Sequence, residues 1–365
     1  MNAVPQDVRP PAAAIPPARL ALLGTGNVGR AVLARLQRLA GAGAPLRLVL
    51  LSNSRTMLHD ADGLDWRCPD PLQPPAGPAC LASVAEALDG PGPRIVIDAT
   101  ASTEVAAMHA RWLHQGIHVV TACKLAQGGD LIDWQRLRRA QAEGGTIYGD
   151  SATVGAGLPL LRTLRALRAG GDRIRAIAGI LSGSLAWLFD GYDGSTPFSR
   201  RVYAARQAGY TEPDPRDDLR GLDVKRKLLI LARCAGYLLE ASAVRVEPLP
   251  GCDATGHWPI AALDGPMRER LQAARRRGRV LRHVARLHAD GRAVVALEEL
   301  APGDPMAAGG GTDNRVAIWS DRYRERPLLV QGPGAGPDIT AAALLDDVLA
   351  IRRACARRAA AFSTR

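Results

Sequence analysis

Eleven residues near the start of the chain, Arg19–Gly29 (RLALLGTGNVG), restrict the fold more than any other stretch. An apolar run suited to a buried strand meets the spacing G-x-G-x-x-G, and the helical pattern RAVLARLQRLAGAG follows. Glycines in such a turn let the chain reverse tightly. They also bring bare backbone up to a pyrophosphate at a helix N-terminus, where unpaired N–H groups and the helix dipole favour an anion. Alone, the motif is a weak sign. Set between a strand and a helix, with a second apolar strand at Leu46–Leu51, it specifies the opening of a Rossmann-type α/β nucleotide-binding domain. Gly24, Gly26, Asn27, Val28 and Gly29 are the expected cofactor-binding positions of that turn. At the end of its second strand a site selective for NAD carries Asp or Glu for the ribose hydroxyls. This chain has Ser52-Asn53-Ser54-Arg55 instead. No acid stands there to repel a 2′-phosphate and Arg55 is able to pair with one, so NADPH is favoured, with NADH the alternative. The other reading of Arg55 is a plain loop residue.

The same alternation continues. Arg94–Ala101 (RIVIDATA) is a buried-strand pattern that turns polar at its end, as parallel strands do at their ligand edge, and Thr100 sits there. A helical stretch, Glu104–Gln115, leads to a strand at Ile117–Ala122 that ends on Cys123-Lys124. Ile174–Asp190 places a strand before Ser182-Gly183-Ser184 and an apolar helix after it. Serines at a strand-to-helix turn are ordinary N-caps or the lining of a cavity, and the sequence leaves both readings open. Phe198–Ala208 is helical, and Val280–Ala289, Arg292–Glu299 and Arg315–Ser320 read as strands of a second sheet. Pro327–Leu349 gives a strand, a glycine-rich turn containing Gly336, and a helix opened by Pro337, a residue tolerated in a first helical turn.

The densest chemistry lies in Gly209–Leu231, GYTEPDPRDDLRGLDVKRKLLIL. Glu212, Asp214, Asp217, Asp218 and Asp223 precede Lys225, Arg226 and Lys227, and an apolar run follows. Pro213 and Pro215 argue for a shaped loop without helix over Thr211–Asp218. From Leu219 the pattern is helical, with Leu222, Leu229 and Ile230 near one face. Asp223 and Lys227 are four apart and so share one side of that helix. A carboxylate and an ammonium so placed fit two descriptions, a solvated charged face or a grip on a small zwitterionic substrate.

This segment resembles the signature of homoserine dehydrogenase, GYTEPDPRDDL-x-G-x-DVARK, with Lys225 where the family usually has Ala. The resemblance implies that Glu212 and Asp223 bind the amino and hydroxyl ends of homoserine, that Asp218 and the Gly209 backbone assist, and that Lys227 handles the proton. The strand end at Cys123-Lys124 is similar to the family's T-x-N-K, which implies a catalytic role for Lys124 beside the nicotinamide, with Cys123 in the place of Asn. Ser182 falls in the family's G-I-x-S-G-[ST]-L, which lines the substrate cavity. Gly144–Leu161 resembles Y-E-A-x-V-G-A-G-L-P, where an acid and main-chain carbonyls hold a monovalent cation such as sodium. The carbonyls map to Val154, Ala156 and Leu158, and the acid falls on Ser151, one residue after Asp150. Gly336 lies in a segment similar to G-A-G-N-D-V-T-A-A, near the cofactor in the family.

The resemblance runs from about Arg19 to Leu349. Residues 1–18 read from their composition as a disordered Pro/Ala-rich tail, and the resemblance implies an NADP-binding domain at 19–150, an α+β catalytic and dimerisation domain with a mixed sheet at 151–326, and a return to the first domain at 327–365. The implied reaction is the reversible, NADPH-dependent reduction of L-aspartate 4-semialdehyde to L-homoserine, in threonine, methionine and isoleucine biosynthesis, by a homodimer. The segment looks like the dehydrogenase half of a bacterial aspartokinase–homoserine dehydrogenase, standing alone. Two rivals share the same frame: a reductase of another small amino-acid aldehyde, and a cofactor-binding sensor without turnover. Only Cys123, Ser151 and Pro337 favour the sensor.

Composition narrows the setting. The net charge of +11 raises the question of nucleic acid, but the basic run Arg275-Arg276-Arg277-Gly278-Arg279 lacks interleaved aromatics and reads as a solvated helix end. No apolar run is long enough to span a membrane, and the N-terminus lacks the pattern of a signal peptide. Six cysteines without a C-x-x-C pair fit a reducing cytoplasm.

Overall fold

The computed structural model describes residues 15–65, 77–252 and 258–363. Most of the expected Pro/Ala tail therefore lies outside the described residues, and the first strand already begins at Ala18. The chain divides into two compact units. One holds residues 1–123, 137–150 and 341–365, and the other holds 124–136 and 151–340.

The first unit is built on a seven-stranded sheet. Its strands are β1 (Ala18–Leu23), β2 (Leu46–Ser52), β3 (Thr56–His59), β4 (Gly77–Pro78), β5 (Arg94–Asp98), β6 (His118–Thr121) and β7 (Tyr148–Gly149). They lie in the order β4-β3-β2-β1-β5-β6-β7. β2, β1, β5, β6 and β7 run parallel, while β3 and β4 return antiparallel at one edge. Successive residues such as Leu20-Ala21-Leu22, Leu48-Val49-Leu50 and Ile95-Val96-Ile97 are all buried, so both faces of the sheet are covered and these strands read as unbroken apolar runs. The chain leaves β1 for β2 on one side and takes up β5 on the other. The ends of β1 and β5 therefore form the switch point where sheets of this kind bind ligands.

The second unit has a six-stranded mixed sheet. Its strands are β8 (Ile174–Ile180), β9 (Val244–Val246), β10 (Val280–Leu287), β11 (Ala293–Leu300), β12 (Asp313–Ser320) and β13 (Leu328–Pro333), in the order β13-β12-β8-β10-β11-β9. Only β9 and β11 pair in parallel. Helices Leu160–Ala169, Gly183–Asp190, Phe198–Gln207 and Leu222–Ala235 supply the core against it, with Leu164, Leu188, Phe198 and Leu228 fully buried. Phe198 packs between Phe189 and Tyr192 at ring distances of 5.5 and 5.0 Å.

Two expectations need correction. Pro215 does not exclude a helix from the acidic segment but starts one, Pro215–Leu219, with the Asp214 side chain accepting from Arg216 N–H as its cap. Proline lacks only an N–H that a first turn leaves unbonded anyway. The boundary at 150/151 recurs between Asp150 and Ser151, but residues 124–136 lie in the second unit and the return falls at 340/341 instead of 326/327. β13 pairs with β12 and so stays in the second unit, and the return comes at Ala341, inside the helix Pro337–Ser363. Residues 124–136 join the second unit because Arg233 donates to the Gln127 carbonyl at 2.6 Å and Leu131 N–H to Glu240 at 3.1 Å.

Two predictions test this packing. Phe198→Ala should cost about 3–5 kcal/mol in denaturant unfolding, and a loss below 1 kcal/mol would refute the burial described. His118 and His283 are each held at about 4, both chiefly by burial, with Arg358 and Arg94 adding at His118. Their neutral forms are favoured in the folded chain, so stability present above about 6.5 should fall as pH drops from there towards about 4. A stability profile flat across that window would contradict it.

Candidate active site

In the second unit a helix start gathers the charged groups. Gly221 adopts φ 67°, a conformation that suits glycine, and this turn separates Pro215–Leu219 from the helix Leu222–Ala235. Asp223 stands in the first turn of that helix and Lys227 one turn later. Asp223 Oδ2 lies 2.8 Å from Lys227 Nζ, and its Oδ1 lies 3.3 Å from Lys124 Nζ. Burial works to raise the Asp223 pKa, but the two ammonium groups outweigh it and hold the carboxyl at about 2. It is therefore ionised at any pH near neutrality. Lys227 also donates to the Leu181 carbonyl at 2.8 Å, and only 12% of its side chain is exposed. An ammonium has three donors, and these contacts occupy two of them. Among the described residues no other bond engages the third.

The next residue after Leu181 begins a second cluster. Ser182 Oγ accepts from Leu185 N–H at 3.2 Å and lies 2.9 Å from Ser184 Oγ. Ser184 Oγ donates to Asp218 Oδ1 at 2.7 Å, and Glu212 N–H donates to Asp218 Oδ2 at 2.8 Å. Ser182 is thus the N-cap of Gly183–Asp190, as one of its two sequence readings had it, and Asp218 closes the acidic loop. The carboxylate of Glu212 stays on an exposed residue. Gly209, at φ 74°, ends the helix Phe198–Gln207: its N–H bonds to Arg206 O, and Tyr210 N–H bonds to Ala205 O. Sequence reasoning gave no sign of the Leu181 carbonyl or of Ser184 as partners. A main-chain acceptor carries no residue-type signal.

In the first unit, Gly24 has φ 96°, and a Cβ there would lie 2.8 Å from Ala99 O. A Cβ at Gly29 would collide with the Gly24 carbonyl, whereas one at Gly26 would meet nothing within 4 Å. Two glycines thus allow close packing and the third faces open space. The helix Asn27–Gly41 begins there without a side-chain cap, so its first amides, including those of Asn27 and Val28, are positioned to hold a phosphate. After β2, Asn53 Oδ1 accepts from Arg55 N–H (2.7 Å) and Thr56 N–H (2.8 Å), which shapes the turn and leaves Arg55 exposed. Thr100 donates to Asp98 from its N–H and hydroxyl at 2.9 and 2.7 Å. The donor set therefore fits a dinucleotide.

Gly336 has φ 126°, and its carbonyl accepts from Thr340 at the head of the last helix. Val154, Ala156 and Leu158 lie in the turn before Leu160–Ala169, where Ala156, at φ 48°, is the one described non-glycine residue with positive φ. Ser151 Oγ accepts from Arg162 at 3.0 Å, and Asp150 lies 3.7 Å from Arg138. Ser151 and Asp150 thus both stand beside arginines.

Comparison with known proteins identifies the family. A family model described as "Homoserine dehydrogenase" matches residues 159–349, and one described as "Homoserine dehydrogenase, NAD binding domain" matches residues 24–149. The chain is 41% identical over 346 residues to bifunctional aspartokinase/homoserine dehydrogenase 2 of Escherichia coli K12, covering 90% of this chain and 42% of that protein. It thus spans about two fifths of the length of such bifunctional relatives. It is 34% identical to a homoserine dehydrogenase of Emericella nidulans, with 92% of this chain and 98% of that protein covered. A crystal structure of a homoserine dehydrogenase from Thiobacillus denitrificans superposes with a TM-score of 0.71 at 25% identity, covering 92% of this chain and 73% of that one. The chain belongs to the homoserine dehydrogenase family, NAD(P)-dependent oxidoreductases that act on a CH–OH group.

Proposed function

We propose that this chain reduces L-aspartate 4-semialdehyde to L-homoserine, reversibly and with NADPH. The observation that carries the reading is the pairing of Asp223 with two lysines, one of them also fixed by a main-chain carbonyl. A reduced nicotinamide, when bound, supplies the hydride. As the C=O π bond opens, negative charge grows on oxygen, and two ammonium groups held by one carboxylate are suited to stabilise it. Lys227 donates the proton that completes the hydroxyl, and Lys124 supplies the neighbouring positive charge. In the reverse direction Lys227 takes that proton back. Asp223 aims both lysines and binds the hydroxyl end of homoserine. Glu212 offers an exposed carboxylate to the substrate's ammonium group, while Asp218, tied to Ser184 and to the Glu212 amide, holds the loop that presents it.

The preference for NADPH rests on Arg55 and on the absence of an acid in Ser52–Arg55. Placement in threonine, methionine and isoleucine biosynthesis, a homodimer and a cytoplasmic setting belong to the same proposal. For the dimer, β13 is an edge strand with Leu329 exposed. For the setting, the five described cysteines form no disulfide, and no described helix is long and apolar enough to cross a membrane. No step is assigned to a monovalent cation at Val154, Ala156 and Leu158.

Lys227→Ala should lower kcat for homoserine oxidation by about 10²–10⁴-fold, followed at 340 nm. A loss below tenfold would remove Lys227 from proton transfer. Arg55→Ala should raise KM for NADPH by about tenfold or more and leave KM for NADH within twofold, since only the former carries the phosphate that a guanidinium pairs. Equal changes for the two cofactors would assign Arg55 to the loop alone.

A further inference from the structure

A second carboxylate, in the first unit, is wholly enclosed and takes no part in the chemistry above. Asp98 ends β5 and is 0% exposed. Each of its oxygens accepts two hydrogen bonds. Oδ1 receives the Thr100 N–H and hydroxyl, and Oδ2 receives the Thr121 hydroxyl at 3.0 Å and lies 3.1 Å from His109 Nε2. His109, also 0% exposed, lies 2.9 Å from the Tyr148 hydroxyl through Nδ1. Burial, foremost, keeps the Tyr148 phenol protonated by raising its pKa, with Asp150 and Asp98 acting the same way. A carboxylate only accepts, so Nε2–H donates to Asp98, and Nδ1 and the phenol share the second bond.

These bonds run outward to the ligand edge of the sheet. Thr100 Oγ1 accepts from Ser102 N–H at 3.2 Å, and Ser102 Oγ caps the helix Thr103–His114. Thr121 Oγ1 accepts from Cys123 N–H at 2.8 Å. Ala99 N–H donates to Leu23 O, Ala122 N–H donates to Asp98 O, and Gly24 is packed against Ala99 and Thr100. The ends of β1, β5 and β6 are thus all referred to one carboxylate at the switch point.

We propose that Asp98, oriented by His109 and Tyr148, is a positioning residue for the dinucleotide. It sets Thr100 and the floor under Gly24 at the geometry that the cofactor requires, without touching the cofactor itself. Four donors fill the lone-pair sites of a carboxylate, so the group has no capacity left for a ligand and serves only to fix the donors. An amide in its place offers one oxygen and two N–H groups, which meet donors where acceptors are needed. The inference rests on the reading of this edge as the NADPH site.

The test is fluorescence titration of the full chain with NADPH, beside steady-state kinetics. Asp98→Asn should raise Kd for NADPH at least tenfold and leave KM for homoserine at saturating cofactor within twofold. His109→Gln, which keeps a donor towards Asp98, should stay within about threefold of wild type, whereas His109→Leu should approach Asp98→Asn. Thr121→Val, near-isosteric and breaking two of the bonds, gives an independent measure should Asp98→Asn fail to fold, with an expected rise of threefold or more. Loss of thermal stability without change in Kd across the folded variants would overturn the proposal and reduce the network to a core brace. Wild-type protein that fails to bind NADPH would sink the cofactor reading and this inference together. Tight wild-type binding with unchanged variants would sink the inference alone.

Discussion

The arrangement of charge in the second unit depends on one carboxylate held between two ammonium groups. An exposed ion pair contributes little to stability, about 0–1 kcal/mol, so the worth of Asp223 is not in holding the fold. It decides where two positive charges stand. Lys124 reaches it from the segment after β6, Lys227 from one turn along the same helix, and Leu181 adds its carbonyl from the end of β8. Three stretches far apart in sequence are thereby brought to one point. The left-handed turn at Gly221 starts the helix there, and Val224, Leu228 and Leu231 anchor it in the core.

Asp98 and Asp223 show two uses of the same group. Asp223 is half exposed, faces cations and keeps its carboxyl far below the usual range, so its charge is available at the surface of a site. Asp98 is enclosed among two hydroxyls, an amide and an imidazole, and acts through geometry. A buried carboxylate is costly unless its lone pairs are satisfied. With all four satisfied it becomes rigid, because moving any donor leaves an acceptor bare. One device delivers charge and the other delivers position.

Much of this was legible in the sequence for definite physical reasons. The strand–glycine–helix opening gave the first unit because Gly24, Gly26 and Gly29 answer to steric demands that few other residues meet. The spacing of Asp223 and Lys227 gave their contact because helical periodicity is fixed. The acidic segment was misread where proline was treated only as a breaker, although Asp214-Pro215 is also a helix start. The boundary at 150/151 was legible, but the place of 124–136 and the late return at Ala341 were not, because the pairing of β13 with β12 and of Arg233 with the Gln127 carbonyl are long-range bonds with no local pattern. His109 and Tyr148 escaped notice for the same reason. A histidine and a tyrosine in apolar stretches look like core, and only the fold sets them in line with Asp98.

The departures from the family pattern carry a further argument. Cys123 stands where an asparagine is usual, yet its backbone is fixed by Thr121, itself fixed by Asp98, so the strand end before Lys124 does not rely on that side chain alone for its shape. Pro337 replaces another asparagine and simply opens the last helix. Ser151 takes the place of an acid, and a guanidinium, Arg162, is bonded to it, so positive charge stands beside this turn in covalent form. Each departure is met by a local contact. A chain that had drifted from turnover would have no physical reason to keep Lys124, Asp223 and Lys227 in mutual contact, with Lys227 nearly buried; that cluster, more than the three departures, decides between enzyme and sensor.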